Sequence, residues 1–366
     1  MDYPARQKKL REHLATTRFD ALLISHLPNI RYLSGFTGSA GFLLIDESTC
    51  VFITDVRYDP QARQEVKGAK VVIARQPVLR ELADWIARRR KKSRPMSIGV
   101  EGEHMTLTEN KKIGDLLPSR IRLRPAAAMV ERARMIKDAK ELQSIRAAVN
   151  LGATLFDRAI EILRPAVTET TVAAEMEFTA RQAGAEAMSF ETIIASGKRS
   201  ALPHGRATEQ AIPAGSFVVC DFGVILAGYC SDQTRTVWIR GGSEAIPKAA
   251  RRAYDAVLEA QLASIAAVKP GAAVSEVDAA GRNILKKAGL GRYFTHSTGH
   301  GVGLEIHEGP RIAAGQKEIL RPGMVITIEP GVYFPGKWGV RIEDMVAVTE
   351  TGCEVLTPTK KDFLAL

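Results

Sequence analysis

The sequence predicts a two-part chain: a small α/β domain over residues 1–125, then a larger α+β domain over 126–366 that is internally duplicated. Three observations carry this expectation. The first 125 residues alternate short apolar runs with helical patterns, as an α/β layer requires. Two helical patterns followed by antiparallel strand patterns then occur twice over in the remainder. Between the parts lies Arg124-Pro125-Ala126-Ala127-Ala128, which reads as a boundary.

In the first part, strands are expected over 21–25, 41–46, 50–54, 70–74 and 97–101, with helices over 60–66, 78–90 and 106–117. The glycine-punctuated stretch 29–41 (Asn-Ile-Arg-Tyr-Leu-Ser-Gly-Phe-Thr-Gly-Ser-Ala-Gly) reads as a loop. It is not GxGxxG, and no Walker pattern occurs, so no nucleotide site is supported. In the second part, Asp138 with Glu141 forms a capping-box pattern that opens a long helix to about 163, ended by Arg164-Pro165. A second helix covers 168–183 and stops at Gly184. Strands follow over 189–195, 217–226 and 229–239, with Ala227-Gly228 as a hairpin turn. Helices over 247–267 and 275–288, then strands over 324–329 and 340–348, complete the second round.

With 45% hydrophobic and 25% charged residues among 366, the chain is ordinary globular material. The net charge is +10, but the basic residues are scattered. The one dense run, Arg88-Arg89-Arg90-Lys91-Lys92 with Arg94 beyond, follows the apolar pattern Leu79, Leu82, Ala83, Ile86. It reads as a solvated helix end, where cations suit the helix dipole. Nucleic acid is therefore not expected as a partner. Four cysteines without CxxC spacing, and no apolar leader or span of about 20 residues, place the chain in the cytoplasm by default and away from membranes.

The chemistry centres on His296-Ser297-Thr298-Gly299-His300-Gly301-Val302-Gly303-Leu304-Glu305-Ile306-His307-Glu308, which holds three of the seven histidines. A histidine-rich, glycine-rich stretch builds no ordinary helix interior and points to metal or catalysis. Asp221 lies within an apolar strand, where an unpartnered carboxylate is costly. Asp232 follows across the hairpin and is expected to face it. Glu329 and Glu343 repeat the arrangement, and Arg341 shares a strand face with Glu343. Any one such acid is ordinarily a solvated charge. Four carboxylates together balance two divalent cations, and an imidazole, best assigned to His300, completes an N/O donor set without thiolate. Such a pair can share a bridging water, lower its pKa and polarise a carbonyl, which implies hydrolysis of an acyl or phosphoryl bond.

These stretches, with Asp221 in Asp-Phe-Gly, Ser231-Asp232-Gln233-Thr234-Arg235-Thr236, Ile328-Glu329-Pro330-Gly331-Val332-Tyr333 and Val340-Arg341-Ile342-Glu343-Asp344, resemble the Xaa-Pro peptidases, aminopeptidase P and prolidase. The resemblance runs from the loop at 32–39 to the last strand. It implies a pita-bread catalytic domain behind a creatinase/prolidase-like N-terminal domain. It also implies two divalent metals, Mn²⁺ first and Co²⁺ or Zn²⁺ next, on Asp221, Asp232, His300, Glu329 and Glu343. Asp232 and Glu343 would touch both, and Glu329 would act as general base. His204 would steady the proline side of the scissile bond, His307 would polarise its carbonyl and His296 would line the pocket. Arg341 would orient substrate or hold the ligand network. No metal position departs from the family pattern, unlike relatives that keep the fold without the metals.

The resemblance implies release of the N-terminal residue from peptides with proline second, through the bridging hydroxide, with dipeptide cleavage as the alternative. A dipeptidase needs a cation for the substrate carboxylate, and none stands out in the sequence. Proline-containing peptides and a homodimer are the implied partners. Two other classes compete: a nonenzymatic basic binding module, supported by the +10 charge alone, and a methionine aminopeptidase, which the N-terminal domain disfavours.

Overall fold

A computed structural model describes residues 1–88, 95–242 and 245–366. The chain divides into two compact units, Met1–Arg134 and Met135–Leu366.

The first unit is a six-stranded sheet with helices. It opens on helix α1 (Tyr3–Leu14), which the sequence pattern does not reveal, because two of its four buried side chains are Arg6 and Gln7. Strands β1 (Ala21–Ile24), β2 (Phe42–Asp46), β3 (Cys50–Thr54), β4 (Lys70–Ile73), β5 (Met96–Glu101) and β6 (Ile121–Ala126) lie in the order β4-β3-β2-β1-β5-β6. β1, β5 and β6 run parallel, whereas β1, β2 and β3 form an antiparallel meander. The stretch expected to be a loop over 29–41 is helical in its first half. Helix α2 (Leu27–Ser34) starts at Pro28 in its first turn and ends on Gly35 at φ 85°, a left-handed cap that only glycine takes without strain. Helices α3 (Asp59–Glu65), α4 (Val78–Arg88) and α5 (Leu107–Leu116) match expectation. Arg88 ends α4 as the dipole argument requires, and the rest of the basic run, 89–94, lies outside the described residues. Strand β6 passes through the expected boundary, and α6 (Met129–Arg134) follows it, so the division falls after Arg134 rather than at 125.

The second unit opens on α7 (Ala139–Ile162). Asp138 accepts from the amides of Lys140 and Glu141 while Glu141 accepts from the Asp138 amide, each at 2.9 Å. Such a cap contributes about 1 kcal/mol. Helix α8 (Glu169–Gln182) is capped by Thr168 and ends at Gly184, φ 93°. Short strand β7 (Ala187–Met188) and β8 (Ile193–Ser196) replace the single strand expected over 189–195. β9 (Ser216–Phe222), β10 (Val224–Leu226), β11 (Tyr229–Cys230) and β12 (Gln233–Ile239) follow. The expected strand over 217–226 is interrupted at Gly223, where a Cβ would stand 1.8 Å from the Ser231 carbonyl oxygen. Ala227 and Gly228 form the hairpin turn at φ 50° and 82°.

On β9 the period of two divides the side chains cleanly. Val218, Cys220 and Phe222 pack on α7 and α8, leaving Phe217, Val219 and Asp221 on the opposite face. The second round repeats the plan with α9 (Lys248–Ala267) and α10 (Val274–Lys287). Its strands are β13 (Gly299–Gly301), β14 (Glu308–Ile312), β15 (Val325–Ile328), β16 (Gly331–Phe334), β17 (Trp338–Arg341), β18 (Asp344–Val348) and β19 (Cys353–Val355). Ile326, Ile328, Val346 and Val348 pack with Val274 and Val277 of α10, so Thr327 faces the other way. The apolar run 340–348 is not one strand. β17 pairs with β16, and β18 pairs with β15, so Ile342-Glu343 is the step between two sheets. No described helix is long and apolar enough to cross a membrane.

Candidate metal centre

The non-helical faces of the two rounds converge on a cavity of about 700 Å³, whose lining includes Asp221, Asp232, His300, Glu329 and Glu343. Local backbone explains each placement. Asp221 stands opposite Thr234 in the β9–β12 ladder, not opposite Asp232 as expected. Asp232 lies just beyond the ladder, two residues from Thr234, and so reaches the same face diagonally. Glu329 and Glu343 occupy matching breaks: each follows or precedes the end of the β15–β18 ladder, where Ile328 pairs with Asp344. His300 is the middle residue of β13, between two glycines that cannot be replaced. A Cβ on Gly299 would lie 1.9 Å from the Thr327 carbonyl oxygen, and one on Gly301 would lie 2.0 Å from that of Gly309. The Gly-His-Gly pattern is therefore a consequence of backbone packing on both sides of the imidazole.

The donor set fits a pair of divalent cations on three counts. One ligand atom each from Asp232, His300 and Glu343 lie within 4.8 Å of one another. Asp221 Oδ1 is buried and accepts no hydrogen bond among the described residues. His300 Nδ1 lies 3.0 Å from the Gly301 carbonyl, which can only accept, so the proton belongs on Nδ1. Its Nε2 lone pair then faces Asp232 Oδ2 at 3.6 Å and Glu329 Oε1 at 3.5 Å. Lone pairs opposed in this way are satisfied by a cation, and the carbonyl partner on the other nitrogen is the usual support of a metal-bound imidazole.

Electrostatics of the bare chain agree. Burial, then Glu343 and Asp221, hold the Asp232 carboxyl well above the usual range. Burial, then Glu329 and Asp221, do the same to Glu343. Burial pushes Glu329 up to about 8 although Arg341 opposes it. Burial lowers His300 to about 4, so its imidazole is neutral near pH 7.

Arg341 is buried and donates to Asp221 Oδ2, to the Pro203 carbonyl at 2.9 Å, to the Tyr333 hydroxyl at 2.8 Å and to Thr234 Oγ1 at 3.1 Å. The Tyr333 oxygen accepts from Arg341, so its own proton goes to His296 Nε2, 2.9 Å away. His296 in turn donates from Nδ1 to the Ser297 carbonyl at 2.7 Å. Burial, then Arg341, lowers His296 to about 4. Both of its nitrogens are engaged, so it offers the cavity a ring face rather than a free nitrogen. His307 packs edge-on against His300, with ring centroids 4.5 Å apart, and burial lowers its pKa. His204 also lines the cavity.

Several contributors escape sequence reasoning. Thr234 donates to Glu343 at 2.6 Å, and Thr327 donates to Glu329 at 3.3 Å. Tyr333 ends the Ile328-Glu329-Pro330-Gly331-Val332-Tyr333 stretch, which by itself gives no sign of the contact with Arg341. Lys137 forms a buried ion pair at 3.3 Å with Glu308, next to His307. Exposed Arg311, on β14, lines the cavity, and its guanidinium makes no ion pair or hydrogen bond among the described residues.

A family model described as metallopeptidase family M24 matches residues 143–350, more than half of the chain. The chain belongs to metallopeptidase family M24. The Creatinase/Prolidase N-terminal domain matches residues 6–136, so the M24 pita-bread domain follows a creatinase-type domain. Among its relatives, the Xaa-Pro dipeptidase of Pyrococcus horikoshii is 36% identical over 361 residues, 98% of either chain. A solved Xaa-Pro dipeptidase from Bacillus anthracis superposes with a TM-score of 0.95 at 37% identity, covering all of both chains. A solved X-Pro aminopeptidase from Thermotoga maritima gives 0.88 at 34% identity, covering 99% of this chain and 100% of that one. As an M24 metallopeptidase the chain is a hydrolase whose family uses divalent metal ions.

Proposed function

We propose that this M24 peptidase hydrolyses the bond between any residue and a following proline. Two divalent cations would be held by Asp221, Asp232, His300, Glu329 and Glu343, with Mn²⁺ first and Co²⁺ or Zn²⁺ as alternatives. The observation that carries this reading is the convergence of the five donors on one cavity, with an orphaned Asp221 oxygen and an unprotonated His300 nitrogen. When bound, the metals supply an activated water and polarise the scissile carbonyl. Glu329 takes the proton of the attacking water and returns it to the leaving proline nitrogen. That nitrogen carries no hydrogen in the substrate, because X–Pro is a tertiary amide. His204 steadies the proline side, and neutral His307 donates to the carbonyl oxygen as charge develops there. The His296 ring face forms part of the wall for the pyrrolidine. Arg341 holds Asp221 and the backbone beside His204 in place rather than binding substrate.

The resemblance alone places release of the N-terminal residue from longer peptides ahead of dipeptide cleavage. Arg311 now favours the dipeptidase, since it supplies the cation that a substrate carboxylate just past proline needs. The relatives named above include both a dipeptidase and an aminopeptidase. The test is chelation followed by addition of Mn²⁺, Co²⁺ or Zn²⁺, with Gly-Pro, an X-Pro-X tripeptide, a longer X-Pro peptide and Met-Ala-Ser as substrates. Metal-dependent cleavage of Gly-Pro alone supports the dipeptidase, and cleavage of the longer peptides supports the aminopeptidase. Cleavage of Met-Ala-Ser alone, or of nothing at full metal loading, overturns the X-Pro reading. A homodimer in the cytoplasm completes the proposal, and sedimentation analysis at assay concentration checks the dimer.

A further inference from the structure

His204 is exposed, and its ring makes no hydrogen bond among the described residues. Its position therefore depends on the backbone that carries it. That backbone is a long excursion, leaving the sheet at Ser196 and returning at the Thr168–Ala211 bridge. Such an excursion is flexible unless something ties its two stems.

The Glu169 carboxylate lies between those stems. It is the first residue of α8 and is fully buried. Oε1 accepts from the departing stem, from the Ser196 amide at 2.7 Å and the Ser196 hydroxyl at 2.8 Å. Oε2 accepts from the returning stem, from the Thr208 amide at 3.1 Å and the Thr208 hydroxyl at 2.8 Å. The same oxygen accepts from Arg199 Nε at 3.0 Å, three residues past Ser196. The Arg199 guanidinium also donates to the Arg206 carbonyl, two residues past His204. A carboxylate offers about four lone-pair sites, so this one is saturated by the loop. Such a buried, fully satisfied polar hub specifies one backbone arrangement. At the tip, Arg341 holds the Pro203 carbonyl and the Gly339 amide holds Ser200 Oγ. The tip contacts fix its distance from the site, and Glu169 fixes the angle at which both stems deliver it.

We infer that Glu169 is a positioning residue for His204: it clamps both stems of the 197–208 loop and touches neither substrate nor metal. The inference rests on the reading of His204 as a substrate contact, and the test separates the two. The full-length, metal-loaded protein is prepared as wild type, Glu169→Gln, His204→Ala and the double variant. Gln keeps the volume but places an amide group against donors. Cleavage of Gly-Pro by E169Q should fall about a hundredfold in kcat/KM, as a misplacement of about 1 Å produces, with unchanged metal content. The double variant should be no slower than H204A, because both changes act through one imidazole. Independently of turnover, ring-labelled histidine NMR should show the His204 signal, assigned by its loss in H204A, displaced in E169Q. An unmoved His204 signal in E169Q, or losses that multiply in the double variant, overturns the positioning role. A displaced signal together with full activity of H204A upholds the clamp and removes His204 from catalysis instead. If E169Q does not fold, Thr208→Val decides by the same signal: displacement supports the clamp, and none overturns it.

Discussion

The metal-free protein should lose stability as pH rises from 6.5 to 8, a range in which its buried histidines alone would leave stability level. The carboxyls of Asp232, Glu329 and Glu343 are raised. Each keeps its proton in the folded chain after the unfolded chain has lost its own, so the unfolded state binds fewer protons and stability falls with pH. For Glu329 the window runs from 4.5 to about 8. His296 and His300 are lowered from 6.5 to about 4, which makes stability rise with pH, but only up to 6.5. His307 is shifted the same way. Below 6.5 the two sets oppose each other, and above it the carboxyls act alone. One retained proton changes stability by about 1.4 kcal/mol per pH unit, so Glu329 by itself should remove on the order of 2 kcal/mol over this span. Asp232 and Glu343 add to the loss. Urea midpoints of chelated protein across this range measure it, with metal-loaded protein as the control that stays level. A chelated protein as stable at pH 8 as at pH 6.5 refutes the reasoning, because the carboxyls would then not be crowded in the folded state.

Other outcomes follow from the same geometry. Chelation at neutral pH should abolish peptide cleavage and lower the melting temperature, since ligand at a hundredfold over Kd stabilises by about 2.7 kcal/mol; an unmoved melting temperature in protein shown to be loaded beforehand counts against the centre. Gly299→Ala should be destabilised by at least about 3 kcal/mol in urea, because the new methyl meets backbone at 1.9 Å that has no room to yield. Asp344 accepts from Arg235 at 2.7 Å, Gln261 at 2.8 Å and Lys361 at 2.7 Å, so Asp344→Ala strands the buried Arg235 guanidinium and should cost about 3–5 kcal/mol of unfolding free energy. Arg311→Ala should raise KM for Gly-Pro by at least about tenfold while sparing an X-Pro-X tripeptide, as expected for one charge-assisted hydrogen bond; equal effects on both would remove Arg311 as the carboxylate partner.

The site residues stood out in the sequence because their types are improbable where they occur. A carboxylate at Asp221 amid apolar strand residues, and a histidine between two glycines, have few structural uses. Their exact disposition did not stand out. The direct opposition expected of Asp221 and Asp232 fails on register alone: counting back from the Ala227-Gly228 turn pairs Asp221 with Thr234, which leaves Asp232 one same-face step away. The step between sheets at Ile342-Glu343 was hidden in an unbroken apolar run, since both strands are buried and share one composition. Helix α2 was masked by the glycines that follow it, and α1 by polar side chains on its buried face. Arg311 and Glu169 carried no local signal at all. One is among 51 Lys and Arg, the other among 41 Asp and Glu, and only tertiary contacts distinguish them.

The proposed donors come from both rounds of the duplicated domain: Asp221 and Asp232 from the first, His300, Glu329 and Glu343 from the second. Cations seated among them would act as a rivet between two similar plates, each too poor in ligands to keep a metal by itself. Cutting the chain between the plates, in the segment joining β12 to α9, would then make reassociation of the two fragments depend on metal.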